Sequence, residues 1–393
     1  MNRNLIILIF CQILSFTAPP ITVFISGIVG LNISPIKSLA TLPISLAIVG
    51  TATFTYFAAK IMSKIGRKKG FMLASFLTSS ASLLAAYSIY NTNFILFCIS
   101  CLIIGAGVAV THQYRFAAAE AVGPEKSAKA ISFLLLAGIV SGILGPNIAN
   151  FTKDIVLEHV YVGSYLSLSL LTILPVFLFL FYKPLTSKVD EHAGHARSYS
   201  DLLKHPRIFQ AIISAALGYA IMAFVMTATP ISMYNIHNLK LGEISIVMQL
   251  HIVGMFLPSL FTGRLIEKLG HSKMIYYGSM IYIVCIALSY FDQTLFNYIA
   301  SLILLGVGWN FIFITSTDLL VKNYKSHEKF RAQGFNDLIV FSTQAIASLS
   351  AGYFVVNFTW SIINLICLPM IFVIVLSTFR ADQLSKNYLN DKT

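Results

Sequence analysis

The sequence predicts an all-α membrane protein with twelve transmembrane helices in two pseudo-symmetric six-helix bundles and both termini cytoplasmic. Three observations lead there. Of the 393 residues, 57% are apolar and only 11% charged, against roughly a quarter charged in an ordinary soluble domain. The apolar residues gather into twelve runs, each near the ~20 residues that a helix needs to cross a bilayer. Of the 27 lysines and arginines, 24 fall on alternate connections between those runs. This composition excludes a soluble enzyme, a disordered chain and a collagen-like fibre.

The runs cover residues 5–29, 39–61, 70–90, 94–114, 128–150 and 163–182, then 208–230, 244–266, 274–290, 295–320, 334–353 and 358–379. The first follows Arg3 and continues through Ala18-Pro19-Pro20. A secretory signal is shorter and ends in small residues, so this run is a retained helix. Its prolines are tolerable where neighbours satisfy the freed carbonyls. Only Asn91-Thr92-Asn93 separates the third run from the fourth. Cys98 and Cys101 form a C-x-x-C inside the fourth run. Without a second ligand pair or an aqueous redox setting they read as small packing residues one turn apart, and no metal site is expected.

With the N-terminus inside, the cytoplasmic connections hold all the basic residues except Lys37, Lys153 and Lys240. The positive-inside rule therefore places both termini in the cytoplasm. It also accounts for the net charge of +12 without nucleic acid: the lysines and arginines are topology signals and head-group contacts.

One long polar connection, residues 183–207, carries His192, His195 and His205. It divides the chain into a bundle of residues 1–182, this linker, a bundle of residues 208–380 and a tail of residues 381–393. The halves are similar. Gly66 and Gly270, which follow the second and eighth runs, are 204 residues apart. Gly105-Ala-Gly107 matches Gly306-Val-Gly308 at a separation of 201, and Glu125-Lys126 matches Glu328-Lys329 at 203. Three near-equal offsets indicate a duplicated six-helix unit. Two parallel six-helix repeats are a transporter architecture, with the substrate path between them.

These residues resemble the major facilitator superfamily over essentially the whole chain. The family's loop signature after span two, G-x-x-x-D-[RK]-x-G-[RK]-[RK], is met here by Ala59, Ser63, Lys64, Gly66, Arg67 and Lys68, with the first glycine and the acid replaced. The second copy, Gly263, Glu267, Lys268 and Gly270, is closer. In span five, Gly138-x-x-x-Gly142 and Gly145-Pro146 resemble the signature of drug–proton antiporters, although Ala149-Asn150 stands where a glycine pair is usual. The arginine that many antiporters carry early in span four is absent, with Ser100 and Cys101 in its neighbourhood. The resemblance implies a secondary active transporter of a small, amphipathic or aromatic solute, working by alternating access in a bacterial inner membrane. Proton coupling and export are the first expectation, and ion-coupled uptake is the alternative. A monomer needing no cofactor beyond the proton or ion gradient is expected, since no nucleotide-cradling motif is present. A polytopic enzyme would need a clustered catalytic set at one interface. A sensor would carry a large added soluble domain.

Ionisable groups inside a membrane are costly and so are functional candidates. For coupling these are His251 in span eight, Asp337 in span eleven, His112 near the inner end of span four and Asp318 near that of span ten. Each has a plainer reading: a hydrogen-bonded core residue for His251, an ion pair with Lys60 or Arg67 for Asp337, head-group contact for Asp318. The polar groups expected along a solute path are Gln12, Tyr219, Thr227, Gln249, Trp309 and Asn310, since spans one, four, seven and ten line the path in this superfamily. The two basic loops are expected to act as gating latches, with Glu267 facing the positive end of span five near Ala128.

Overall fold

The computed structural model of the protein describes residues 2–36, 39–183, 197–233, 239, 241–291 and 294–390. His192 and His195 of the linker, Lys37 and Lys240 on the sparsely charged side, and Lys392 of the tail lie outside the described residues. No strand occurs among the described residues, and each of the twelve predicted runs is helical over most of its length. Hydrocarbon offers no partner to a backbone N–H or C=O, so a spanning chain satisfies both within its own helices.

The chain forms two compact units, Met1–Val122 with Ala137–Lys188, and Gly123–Leu136 with Val189–Thr393. The first contains α1 (Arg3–Ser15), α2 (Ala18–Ile33), α3 (Leu42–Tyr90), α4 (Phe94–Thr111), α5 (Tyr114–Val122) and α7 (Val162–Leu180). Helix α6 (Ser127–Thr152) gives its opening turns to the second unit and the remainder to the first. The second unit continues with α8 (Tyr199–Lys204), α9 (Pro206–Ile231), α10 (Leu241–Phe256), α11 (Ser259–Leu269) and α12 (His271–Leu288). It closes with α13 (Leu295–Asn323), α14 (Lys329–Asn357), α15 (Trp360–Leu365) and α16 (Leu368–Asn390). In the first unit α3 packs on α4 and α7, around a core that includes Ile21, Ile25, Phe97, Ile104, Tyr165 and Leu168.

Runs one, four, eight and twelve are not single helices, a correction to the reading of uninterrupted spans. Proline supplies the reason in run one: Pro19 and Pro20 lack N–H groups and fit only the first turn of α2, where no donor is required. The Thr17 hydroxyl then donates to the Leu14 carbonyl at 2.6 Å, and the Ser141 hydroxyl of α6 reaches the Ile13 carbonyl at 3.0 Å. Pro258 ends α10 in the same manner.

Helix α3 merges the second and third runs. Its 49 residues would extend for roughly 74 Å, more than twice the thickness of a hydrocarbon core, and Gly66 breaks it with φ 79° and ψ 161°. Gly270 adopts nearly the same backbone, φ 84° and ψ 163°, between α11 and α12. The 204-residue offset of the sequence is thus a repeated turn, in a region of backbone space open essentially to glycine. A methyl group at either position would meet nothing within 4 Å, so substitution is penalised through the backbone alone. Gly66→Ala and Gly270→Ala should each destabilise their unit by about 1–3 kcal/mol. Thermal unfolding in detergent measures this, and a parent-like midpoint in both variants would show that the turns tolerate a side chain.

Candidate functional site

The predicted path residues of the second unit meet on α9, α10 and α13. Gly254 and Gly306 bring α10 and α13 together: a methyl at Gly306 would meet Met255 N at 2.6 Å and the His251 carbonyl at 2.8 Å. This approach sets the His251 ring against α13, where Nδ1 lies 2.7 Å from the Leu302 carbonyl. A carbonyl only accepts, so Nδ1 carries the proton. His251 is fully buried, and its Nε2 has no hydrogen-bond partner among the described residues.

Two turns along α13, Trp309 stacks on Phe313 with ring centroids 4.9 Å apart and 15° between planes. Tyr219 of α9 meets both edge-on, at 5.4 and 5.3 Å, and also Phe341 of α14 at 5.7 Å. Phe256 of α10 closes on Trp309 at 5.8 Å. The result is a five-ring cluster held by four helices. The indole Nε1 is buried within it without an acceptor among the described residues. Asn310, beside Trp309, is fully engaged elsewhere. Its amide donates to the Met255 carbonyl and to Ser259 Oγ, and its oxygen accepts from Thr262 Oγ1, all at 2.7 Å. Asn310 therefore clamps the α10–α11 break.

The remaining path candidates lie apart from this cluster. Gln12 is buried in the first unit with Oε1 unpartnered among the described residues. Thr227 shares a 3.0 Å hydrogen bond with Ser348 of α14, and Gln249 is exposed. His112 caps α4 and meets the Phe16 ring edge-on at 5.7 Å. Gly138 and Gly145 are buried on α6, while Gly142 and Pro146 are partly exposed. A methyl at Gly145 would meet Pro20 at 3.0 Å and the Thr17 carbonyl at 3.2 Å, so this glycine serves the packing of α6 on α2.

Near the helix ends that carry the Gly66 and Gly270 turns, the charges pair with one another. Asp318 is fully buried and does not face the head groups. It receives the Ser127 hydroxyl, His271 Nε2 at 2.7 Å and Lys322 Nζ at 2.9 Å. In the first unit, Arg67 grips Glu120 with two hydrogen bonds of 2.9 and 2.5 Å. Asp337 is buried on α14 and accepts the Asn336 amide at 2.9 Å. Glu267 pairs with Lys129 in the first turn of α6 at 2.6 Å. Gly263 permits that approach, since a methyl there would meet Lys129 Cα at 2.8 Å. Ser63, Lys64 and Lys268 are exposed, and the Ser63 hydroxyl caps the Lys60 carbonyl at 2.7 Å.

Sequence reasoning missed Glu120, Ser127 and His271. The signal for His271 was available, because the offset that pairs Gly66 with Gly270 also pairs Arg67 with His271. It missed Arg197 as well, which is bound to the buried Glu328 and so anchors the end of the linker. Next to it, the Ser198 hydroxyl and then the Lys204 ammonium hold the Asp201 carboxyl below its ordinary value.

A family model described as Major Facilitator Superfamily matches residues 5–342 and, separately, 213–390. The riboflavin transporter RfnT of Brucella anthropi is 35% identical over 380 residues, covering 95% of this chain and 94% of its own. The uncharacterized MFS-type transporter YddS of Bacillus subtilis is 26% identical, covering 94% and 90%. Among solved structures, a bacterial homologue of the iron transporter ferroportin in its outward-facing state superimposes with a TM-score of 0.75 at 14% identity, covering 97% and 99%. The transporter FucP in its outward conformation does so with 0.73 at 15%, covering 95% and 98%. At such identities these two structures establish the fold.

The Asn310 clamp generates a prediction. Asn310→Leu keeps the volume and deletes three hydrogen bonds, leaving the Met255 carbonyl bare. It should destabilise the protein by roughly 2 kcal/mol, with Thr227→Val, which deletes one, below about 1 kcal/mol. Equal midpoints for the two variants in thermal unfolding would refute the clamp.

Proposed function

The chain belongs to the major facilitator superfamily, and we propose that its solute is riboflavin or a closely related flavin, carried by alternating access and driven by a proton or other ion gradient. It is an integral membrane transporter of a small molecule and not an enzyme. The observation that carries the substrate reading is the 35% identity to a riboflavin transporter across nearly the full length of both chains. The five-ring cluster supports it. Offset stacking and edge-on contacts between aromatic rings contribute about 0.5–1.5 kcal/mol each beyond area burial, which suits a flat tricyclic solute. The unpartnered indole N–H of Trp309 suits a flavin carbonyl. The proposal also places the protein as a monomer in a bacterial cytoplasmic membrane with both termini inside. Gly145 packs against α2, export remains the first expectation for the antiporter-like helix, and net flow follows the imposed gradient.

The test uses purified protein in proteoliposomes with riboflavin on either side and pH or sodium gradients of both signs. Protein-dependent flavin flux is expected, with accumulation under one gradient that also reads the direction. Trp309→Leu should lower flavin affinity about tenfold, the equivalent of ~1.4 kcal/mol. Absence of riboflavin flux under every gradient would overturn the substrate reading.

His251 is the group we assign to proton coupling, because one ring nitrogen is fixed to Leu302 and the other is buried and unpartnered. His251→Gln retains a donor for the Leu302 carbonyl but does not titrate. Flavin exchange should persist while pH-driven accumulation falls by at least about tenfold, a loss of ~1.4 kcal/mol in coupling. Accumulation equal to the parent would make His251 a packing residue.

A further inference from the structure

Inside the first unit, α1, α3, α4, α5 and α7 enclose a cavity lined by the hydroxyls of Ser15, Ser75, Thr78, Thr111, Tyr114 and Thr172. It leaves about 10 Å³ for the centre of a water molecule, close to what one water requires. It lies beside the α1–α2 and α4–α5 breaks, and no carboxylate lines it.

Counting protons on its walls identifies the occupant. Thr78, Thr111 and Thr172 donate to the carbonyls one turn back, Ala74 at 2.8 Å, Gly107 at 3.2 Å and Leu168 at 2.8 Å. Each of these threonines therefore presents only lone pairs to the cavity. Ser75 Oγ is buried without a partner among the described residues. The Tyr114 hydroxyl, also buried, lies 3.4 Å from Ser15 Oγ and faces Ser75 and Thr111 as well. The walls thus offer acceptors that have no proton left and donors that have no short acceptor. A molecule with two donors and two lone pairs satisfies both sets. A metal cation would take the threonine oxygens and strand the Ser75 and Tyr114 protons.

The second unit closes the corresponding place differently. The residue 204 positions after Thr78 is Tyr282. Its ring lies against Gly308, where a methyl would meet ring Cδ1 at 2.6 Å, and its hydroxyl donates to the Gly218 carbonyl of α9 at 2.7 Å. A phenol and its hydroxyl thus join α12, α13 and α9. In the first unit the matching glycine, Gly107, is needed to admit the Thr78 hydroxyl, with which a methyl would collide. A threonine is too short to span the space that the tyrosine spans.

We propose that this cavity is a built site for a single structural water that bridges α3, α4 and α5, replacing the tyrosine hydroxyl of the second repeat. The inference stands apart from the flavin reading. It is tested by determining the structure of the full-length protein at a resolution that shows ordered water, once in sodium buffer and once in choline buffer, with thallium added to a third sample. The expected result is one peak at hydrogen-bond distances, about 2.7–3.2 Å, from at least three of the named hydroxyls, equal in sodium and choline and without thallium signal. In Gly107→Ala the displaced Thr78 hydroxyl should fill the site and the peak should vanish. An empty cavity in the parent, a peak lost in choline or replaced by thallium, or a peak that survives in Gly107→Ala would each overturn the proposal.

Discussion

A carbonyl or N–H freed from its helix inside hydrocarbon has no solvent to turn to, at a cost of several kcal/mol, and the rest of this structure follows from that constraint. At the breaks after α1 and α10, a side chain from the same or a neighbouring helix closes the gap. Thr17 and Ser141 serve the end of α1, and Asn310 serves the end of α10. Most threonines within the spans bond a carbonyl of their own helix. The buried polar side chains of a membrane protein are thus engaged first by the backbone.

Among the residues expected on the solute path or in coupling, few side-chain atoms remain open after that engagement. Asn310 is removed from consideration because its amide is fully occupied. His251 Nε2, Trp309 Nε1 and Gln12 Oε1 stay, since each is buried without a partner among the described residues. Two of these lie in the second unit on the α10–α13 pair, where small residues allow close approach and aromatic rings from α9, α10, α13 and α14 converge. A transporter needs such unsatisfied groups, because the solute must supply what the protein leaves open.

The same backbone turn occurs twice, with different chemistry beside it. The glycine turns at 66 and 270 are nearly superimposable in dihedral angles. The residue after each reaches a carboxylate of its own unit, yet one pair is Arg67 with the partly buried Glu120 and the other His271 with the fully buried Asp318. A guanidinium binds a carboxylate in two-pronged fashion, whereas an imidazole offers it one nitrogen. The two clusters are therefore alike in position and unlike in hydrogen bonding.

The sequence by itself determined the helical class, the apolar runs that become helices, the two glycine turns and the family. Each of these is written locally: a run of twenty apolar residues has one stable form in lipid, and Gly66 and Gly270 sit at backbone angles few other residues adopt. It also placed Glu267 near the start of α6, because a carboxylate beside a helix N-terminus is favoured on simple electrostatic grounds. Helix continuity in run eight, the engagement of Asn310, the burial of Asp318 and the cavity around Thr78 were decided by tertiary structure. Each depends on which atom of another helix lies within 3 Å, and a linear pattern carries no such distance. Periodicity states that a polar residue is inside the membrane, but only packing states whether its hydrogen bonds are already taken.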